Sequence, residues 1–159
     1  MGAFVTSNEK VIINLKNKLK SLADNNNYDK ITIANFILKF VQNNVEYSLD
    51  NVSKGCLEYW RFPVETLVEK QGDCEDSSVL YASLLDAFDY DVVLLFYTID
   101  EGNEKIGHLS VGVKLDGDFG GYIEYNNEKY FYCETTNISY SIGQIPIEIK
   151  GKPIKIINI

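Results

Sequence analysis

Gly72-Asp73-Cys74-Glu75-Asp76-Ser77-Ser78-Val79-Leu80-Tyr81-Ala82-Ser83-Leu84-Leu85-Asp86-Ala87-Phe88 is the stretch on which the fold turns. Val79, Leu80, Ala82, Leu84, Leu85, Ala87 and Phe88 make it apolar on nearly every side, and a helix of that kind is buried at the centre of its domain. Asp73 is a natural N-cap, and Glu75 and Asp76 complement the positive helix end. Cys74 then falls at or near the first helical position, where free N–H groups and the dipole favour a thiolate. The same N–H groups can stabilise the oxyanion formed when that thiolate attacks a carbonyl. Asp73, Glu75 and Asp76 act against this, because carboxylates beside a sulfur raise its pKa. A cationic partner is therefore required.

On the N-terminal side the period is helical. Val11, Ile12, Leu15, Leu19 and Leu22 form one stripe between Glu9 and Leu22, and Ile31, Ala34, Ile37, Leu38 and Val41 form another between Lys30 and Asn43. Asp29 is placed to cap the second. Val45 to Pro63 reads as irregular, broken by Gly55 and Pro63. On the C-terminal side the period is two. Val92–Thr98, Leu109–Leu115, Gly121–Tyr125 and Lys129–Cys133 read as strands, with Asn126-Asn127 as a hairpin turn. Ile159 ends the chain with no obvious closing element. Helices first and an antiparallel sheet afterwards predict an α+β fold in one domain spanning residues 1–159.

Composition narrows the function. The 159 residues are 45% hydrophobic and 24% charged, which is the composition of a folded domain with one core. A net charge of -8 and a single arginine, Arg61, argue against nucleic-acid binding and against an anionic membrane surface. No run is long and apolar enough to span a bilayer, and Met1 to Lys10 lacks a signal-peptide pattern. The expected location is cytoplasmic unless the chain is a fragment of a cell-surface protein. Cys56, Cys74 and Cys133 are neither a disulfide framework nor, with one histidine, a zinc-finger set. Cys56 could pair with Cys133, or both could be half-buried free thiols.

The cationic partner of Cys74 can be only one histidine. His108 lies 34 residues downstream in Gly107-His108-Leu109-Ser110-Val111, and histidine is the commonest general base. Glu134, at the end of the Tyr130–Cys133 strand, is suited to orient it. Taken singly, the two read more readily as an ordinary surface or core histidine and a solvated carboxylate at a strand end.

Trp60-Arg61-Phe62-Pro63-Val64-Glu65, followed by Gly72-Asp73-Cys74-Glu75-Asp76, resembles the W-x-x-P-x-E … G-D-C-E-D signature of microbial transglutaminase-like cysteine proteases. Gly107-His108 and Tyr132-Cys133-Glu134-Thr135-Thr136 are similar to the family's histidine and acidic motifs, in the same order. The resemblance runs from about Ile31 to Pro146. It implies a papain-like core with Cys74 on the central helix and His108 and Glu134 on the sheet. It also implies attack by Cys74 on an amide or isopeptide carbonyl and a thioester acyl-enzyme, with His108 shuttling the proton. The Cys74 N–H and a side-chain donor, Trp60 or Gln71, would form the oxyanion hole. Two departures stand out: Glu134 replaces the more usual Asp, and the sequence shows no signal-peptide pattern of the kind secreted bacterial members carry. The Glu-Thr-Thr variant looks more like archaeal relatives. Some relatives need calcium, which here would fall to Asp73 and Glu75, although cap and dipole roles explain both residues without a metal. Asp116-Gly117-Asp118 lacks the Glu of a calcium loop at its twelfth position, where Asn127 stands, and reads as a turn.

The expected activity is a cysteine peptidase or amidase acting on a protein or cell-wall peptide substrate, with no cofactor needed for the chemistry. A transglutaminase-type transamidase and a non-catalytic binding domain of the same fold are the alternatives. The acidic charge favours basic or neutral peptides.

Overall fold

Twelve of the fourteen residues of the helix Cys74–Ala87 are buried, as its all-round apolar sequence predicts. The rest of the chain is arranged to cover it. The computed structural model describes residues 1–102, 104–149, 151 and 153–159, with the backbone alone at 101 and 104. Helices α1 (Lys10–Asn25) and α2 (Lys30–Asn44) come first, then β1 (Glu46–Tyr47), α3 (Asp50–Ser53), α4 (Pro63–Glu69) and β2 (Gln71–Gly72). The central helix is α5. Strands β3 (Val92–Glu101), β4 (Glu104–Lys114), β5 (Tyr122–Tyr125), β6 (Glu128–Cys133) and β7 (Lys155–Asn158) follow it. They form an antiparallel sheet in the order β5-β6-β4-β3-β7. This is an α+β fold. No helix of the described residues is long and apolar enough to cross a membrane.

The alternation along the strands gives the sheet two buried faces. Val92, Leu94, Leu109, Val111, Val113, Phe131 and Cys133 join α5, the α2 stripe and Ile12, Leu15 and Leu19 of α1 in the main core, while Val11 and Leu22, read as part of the α1 stripe, are exposed. Val93, Leu95, Tyr97, Tyr130 and Tyr132 face the other way, under Ile123, Tyr125, Ile149 and Ile156. Burial at this scale contributes ~25 cal/mol per Å² of apolar surface, so these clusters hold the sheet and α5 as one frame.

Local signals behave as their chemistry requires. The Asp29 side chain accepts from the Thr32 N–H at 2.9 Å and so caps α2. Asn126 and Asn127 adopt φ of 52° and 64°, the left-handed pair that a tight two-residue hairpin needs. Three features depart from the sequence reading. Pro63, read as a breaker, is instead the first residue of α4, where its missing N–H costs nothing. The chain does have a closing element, because β7 pairs antiparallel with β3, Lys155 opposite Phe96 and Asn158 opposite Val93. Cys56 and Cys133 are unpaired, and they are exposed and fully buried respectively rather than both half-buried.

Candidate active site

Cys74 opens α5, and its position follows from how that helix start is tied down. Asp73 Oδ1 accepts from the Glu75 N–H at 3.2 Å, while the Asp73 N–H donates to Asp76 Oδ2 at 3.3 Å, a reciprocal cap. The turn is tight enough that a Cβ on Gly72 would meet the Asp76 Cβ at 2.6 Å. Asp76 is buried and is held by Arg61, whose N–H donates to Oδ1 at 2.9 Å and whose Nη1 donates to Oδ2. Arg61 is itself fully buried and also donates to Asp50 at 2.9 Å, Glu69 at 2.9 Å and Ser53 Oγ at 2.8 Å. The only arginine therefore staples α3 and α4 to the start of α5.

Hydroxyls then seat that helix start on the sheet. Ser78 Oγ donates to the Leu109 carbonyl at 3.0 Å, and Thr135 Oγ1 lies 2.9 Å from Ser77 Oγ and 3.0 Å from Ser78 Oγ. Leu109 and Thr135 are the residues that follow His108 and Glu134, so the start of α5 is tied beside both.

His108 lies on β4 opposite Tyr97 of β3, and its Nε2 is 3.0 Å from Glu134 Oε2. Glu134 Oε2 also accepts from Tyr132 Oη at 2.8 Å, and Oε1 accepts from the Thr136 N–H at 3.1 Å and Thr136 Oγ1 at 2.7 Å. Burial pushes this carboxyl up, but the His108 hydrogen bond and charge, with Thr136, outweigh it and hold the group down at about 2. An ionised carboxylate only accepts, so Nε2 carries the proton and Nδ1 is the basic nitrogen.

The sulfur has a different neighbour. Cys74 donates its thiol proton to Glu75 Oε2 at 2.8 Å, and among the described residues no hydrogen bond joins Cys74 to His108. Burial first, then the Glu75 charge and hydrogen bond, push the thiol far above its ordinary value, with the Leu109 N–H pulling the other way. Burial, with the acidic neighbours adding to it, thus outweighs what the helix start offers the thiolate. The resting group is a thiol.

Two clefts meet at Ile106. One, of about 540 Å³, is lined by Cys74, Asp73, Glu75, Glu58, Tyr47 and Leu57 among others. The second, of about 400 Å³, is lined by His108, Glu134, Thr136, Tyr140 and Ile149 among others. The first is acidic. Burial, then Glu75 and Asp76, raise Asp73 to about 8, and burial and Glu75 raise Glu58.

The remaining expected site residues lie further off. The Trp60 indole N–H donates to Glu58 Oε1 at 3.1 Å, and its ring packs on Phe4 at 5.5 Å between centroids. Gln71 is half-buried on β2. Neither lines either cleft. Of the residues suggested for calcium, Asp73 is committed to the helix start and Glu75 to the thiol. The carboxylates that gather with Asp73, within 4.8 Å, are Asp50 and Asp76, and both are paired with Arg61. Three contributors were not singled out from the sequence: Arg61, Tyr132 and Thr136. Tyr132 and Glu134 are two apart along an extended chain and so share a face, a signal that could have found the phenol.

A family profile described as a transglutaminase-like domain matches residues 12–123, more than half of the chain, and ends ahead of Glu134. No curated protein matches the chain. Among solved structures, a candidate cysteine protease from Cytophaga hutchinsonii superposes with a TM-score of 0.51 at 20% identity, over 77% of this chain and 38% of its own. LapG of Legionella pneumophila gives 0.48 at 17% identity, over 90% of this chain and 83% of its own. The chain thus spans 38% of the first of these, and the likeness is one of fold. The buried helix headed by Cys74 and packed on an antiparallel sheet is the papain-like, transglutaminase-like core. The chain belongs to the transglutaminase-like domain family.

Proposed function

We propose that the protein is a cysteine-dependent hydrolase of amide or isopeptide bonds, with Cys74 as nucleophile, His108 as general base and acid, and Glu134 as the group that orients His108. The observation that carries this reading is the His108–Glu134 pair. It lies on the strand segments to which the Cys74 helix start is bolted through Ser77, Ser78 and Thr135. The basic nitrogen of His108 is Nδ1, and the thiol is protonated at rest. Deprotonation therefore accompanies attack, as the thiol turns from Glu75 to Nδ1, rather than preceding it.

Sulfur attacks the carbonyl carbon, the thiol proton passes to His108, and the oxyanion is met by the free N–H groups at the start of α5, that of Cys74 among them. Collapse expels the amine, which takes the proton from His108, and leaves a thioester on Cys74. Water activated by the same nitrogen completes hydrolysis. Glu134 stabilises the imidazolium in both steps. The leaving amine is delivered to the cleft beside His108, and the acyl part occupies the acidic cleft beside Cys74, which suits basic or neutral peptides. Neither step uses a metal. Calcium at Asp73 and Glu75 would serve only to offset the charge that opposes the thiolate, and rates measured in EDTA and in added calcium separate the two cases.

The test is casein hydrolysis by the full chain. Cys74→Ala is expected to abolish it, and a rate equal to that of the unaltered protein would refute the reading. A second reading, transamidation, is favoured by one observation: carboxylates line the Cys74 cleft without a basic residue among its described lining, which would gather a cationic amine acceptor. Incorporation of a fluorescent primary amine into casein faster than hydrolysis would establish it instead.

A further inference from the structure

We propose that Tyr132 is a positioning residue for the His108–Glu134 pair: its hydroxyl shares Glu134 Oε2 with His108 and so limits how tightly the carboxylate grips the imidazole. This rests on the reading of His108 and Glu134 as the catalytic base and its orienting acid.

The phenol is built into place. Tyr132 is fully buried on the sheet face opposite α5. Its ring meets Tyr97 edge-on at 6.0 Å and 66°, and Tyr97 is the cross-strand partner of His108. The hydroxyl is 2.8 Å from Glu134 Oε2 and 3.4 Å from His108 Nε2, so its one proton goes to the carboxylate. Burial and the Glu134 charge push the phenol far above its ordinary value, so it stays a donor. Glu134 then has two donors on Oε2, Tyr132 and His108, and two on Oε1, both from Thr136. Two donors on one oxygen divide its charge between them. The Nε2–H···Oε2 bond is therefore weaker than an unshared one.

That matters because the imidazolium must form and then release its proton. A carboxylate with no competing donor holds the imidazolium more firmly and slows return of the proton to the leaving amine. The Tyr132 hydroxyl offsets part of that hold. It also pins Oε2 laterally, so the Glu134 side chain keeps one rotamer. The other ionisable groups around the pair are Tyr97 across β3, Tyr47 over the Cys74 cleft, and Asp100, Tyr140 and Glu148 in the cleft beside His108.

The protein has a single histidine, so the Nε2–H proton of His108 gives one unambiguous NMR signal in the full chain. In Tyr132→Phe that signal is expected to move downfield, the mark of a strengthened Nε2–H···Oε2 bond. In Tyr97→Phe, which removes a buried hydroxyl from the same wall that has no partner among the described residues, it is expected to stay put. In a Glu134→Ala background, Tyr132→Phe is expected to change nothing, because the shared acceptor is gone. An unmoved or upfield-shifted signal in Tyr132→Phe, or an equal shift in Tyr97→Phe, would overturn the proposal. The signal reports the hydrogen bond and not turnover, so the proposal and the hydrolase reading fail separately. Retention of casein hydrolysis by Cys74→Ala removes the second and leaves the first to be judged on the spectra.

Discussion

Glu134 and Asp73 are both buried carboxyl groups within the same site, and they titrate in opposite directions. Glu134 is held down at about 2, while Asp73 is raised to about 8. Burial pushes both up, so burial does not decide between them. The difference lies in company. Glu134 faces donors only: His108, Tyr132 and the N–H and hydroxyl of Thr136. Asp73 faces Glu75, Asp76 and Asp50, with one N–H donor from Glu75. The His108 side of the site is thus electrostatically finished, and the Cys74 side is left short of positive charge. A thiol among unsatisfied acids stays protonated until a base and a carbonyl are both at hand, which fits a nucleophile deprotonated during attack.

The comparison can be broken most severely at Arg61, the one cation buried on the acidic side among the described residues. Arg61→Met leaves Asp50 and Asp76 buried and unpaired, and a buried charge stripped of its partner costs ~3–5 kcal/mol. Urea unfolding of the variant is expected to show a loss of that order, and a loss below ~1 kcal/mol would mean that the pairs carry little. On the finished side, Glu134→Gln keeps the shape but removes the charge that stabilises the imidazolium. It is expected to lower kcat on casein ~10²-fold or more while KM changes little.

The pH dependence of stability separates the two sides further. Because the folded value of Glu134, about 2, lies below its ordinary 4.5, its contribution is complete above pH 4.5 and is lost as pH falls from there towards 2. Urea midpoints of the unaltered protein over that window are expected to fall more steeply than those of Glu134→Gln. Asp73 has the reverse sign. Its folded value of about 8 exceeds its ordinary 3.8, so the unfolded chain ionises first and stability declines as pH rises between them. Asp73→Asn keeps the helix cap and removes the charge. It is expected to raise stability, the gain growing from pH 4 to pH 8 and flat above. A gain independent of pH would assign the effect to packing instead.

How much of this was legible in the sequence depends on distance along the chain. The all-round apolar helix after Cys74, the Asp29 cap and the Asn126-Asn127 turn are local patterns, and each is present as read. The α4 helix is seven residues long, too short to show a period, and β7 is a four-residue strand recognisable only by its pairing with β3. Crowding of acids about Cys74 could be read from neighbours in the chain, although its outcome could not, because burial is the largest single cause of the thiol's shift. The Arg61 staple draws on Asp50, Ser53, Glu69 and Asp76. No spacing rule joins those five residues, and only the fold brings them together.

The central claim is that Cys74 is acylated with His108 as its base, and p-nitrophenyl acetate tests it directly. After a short exposure and acid quench, mass spectrometry of proteolytic peptides is expected to place an acetyl group on the Cys74 peptide. Cys56, an exposed free thiol, serves as the internal control in the same digest. His108→Ala is expected to abolish acetylation of Cys74 and leave that of Cys56 unchanged. Acetyl groups on Cys56 alone, or a Cys74 adduct that forms equally fast without His108, would contradict the account.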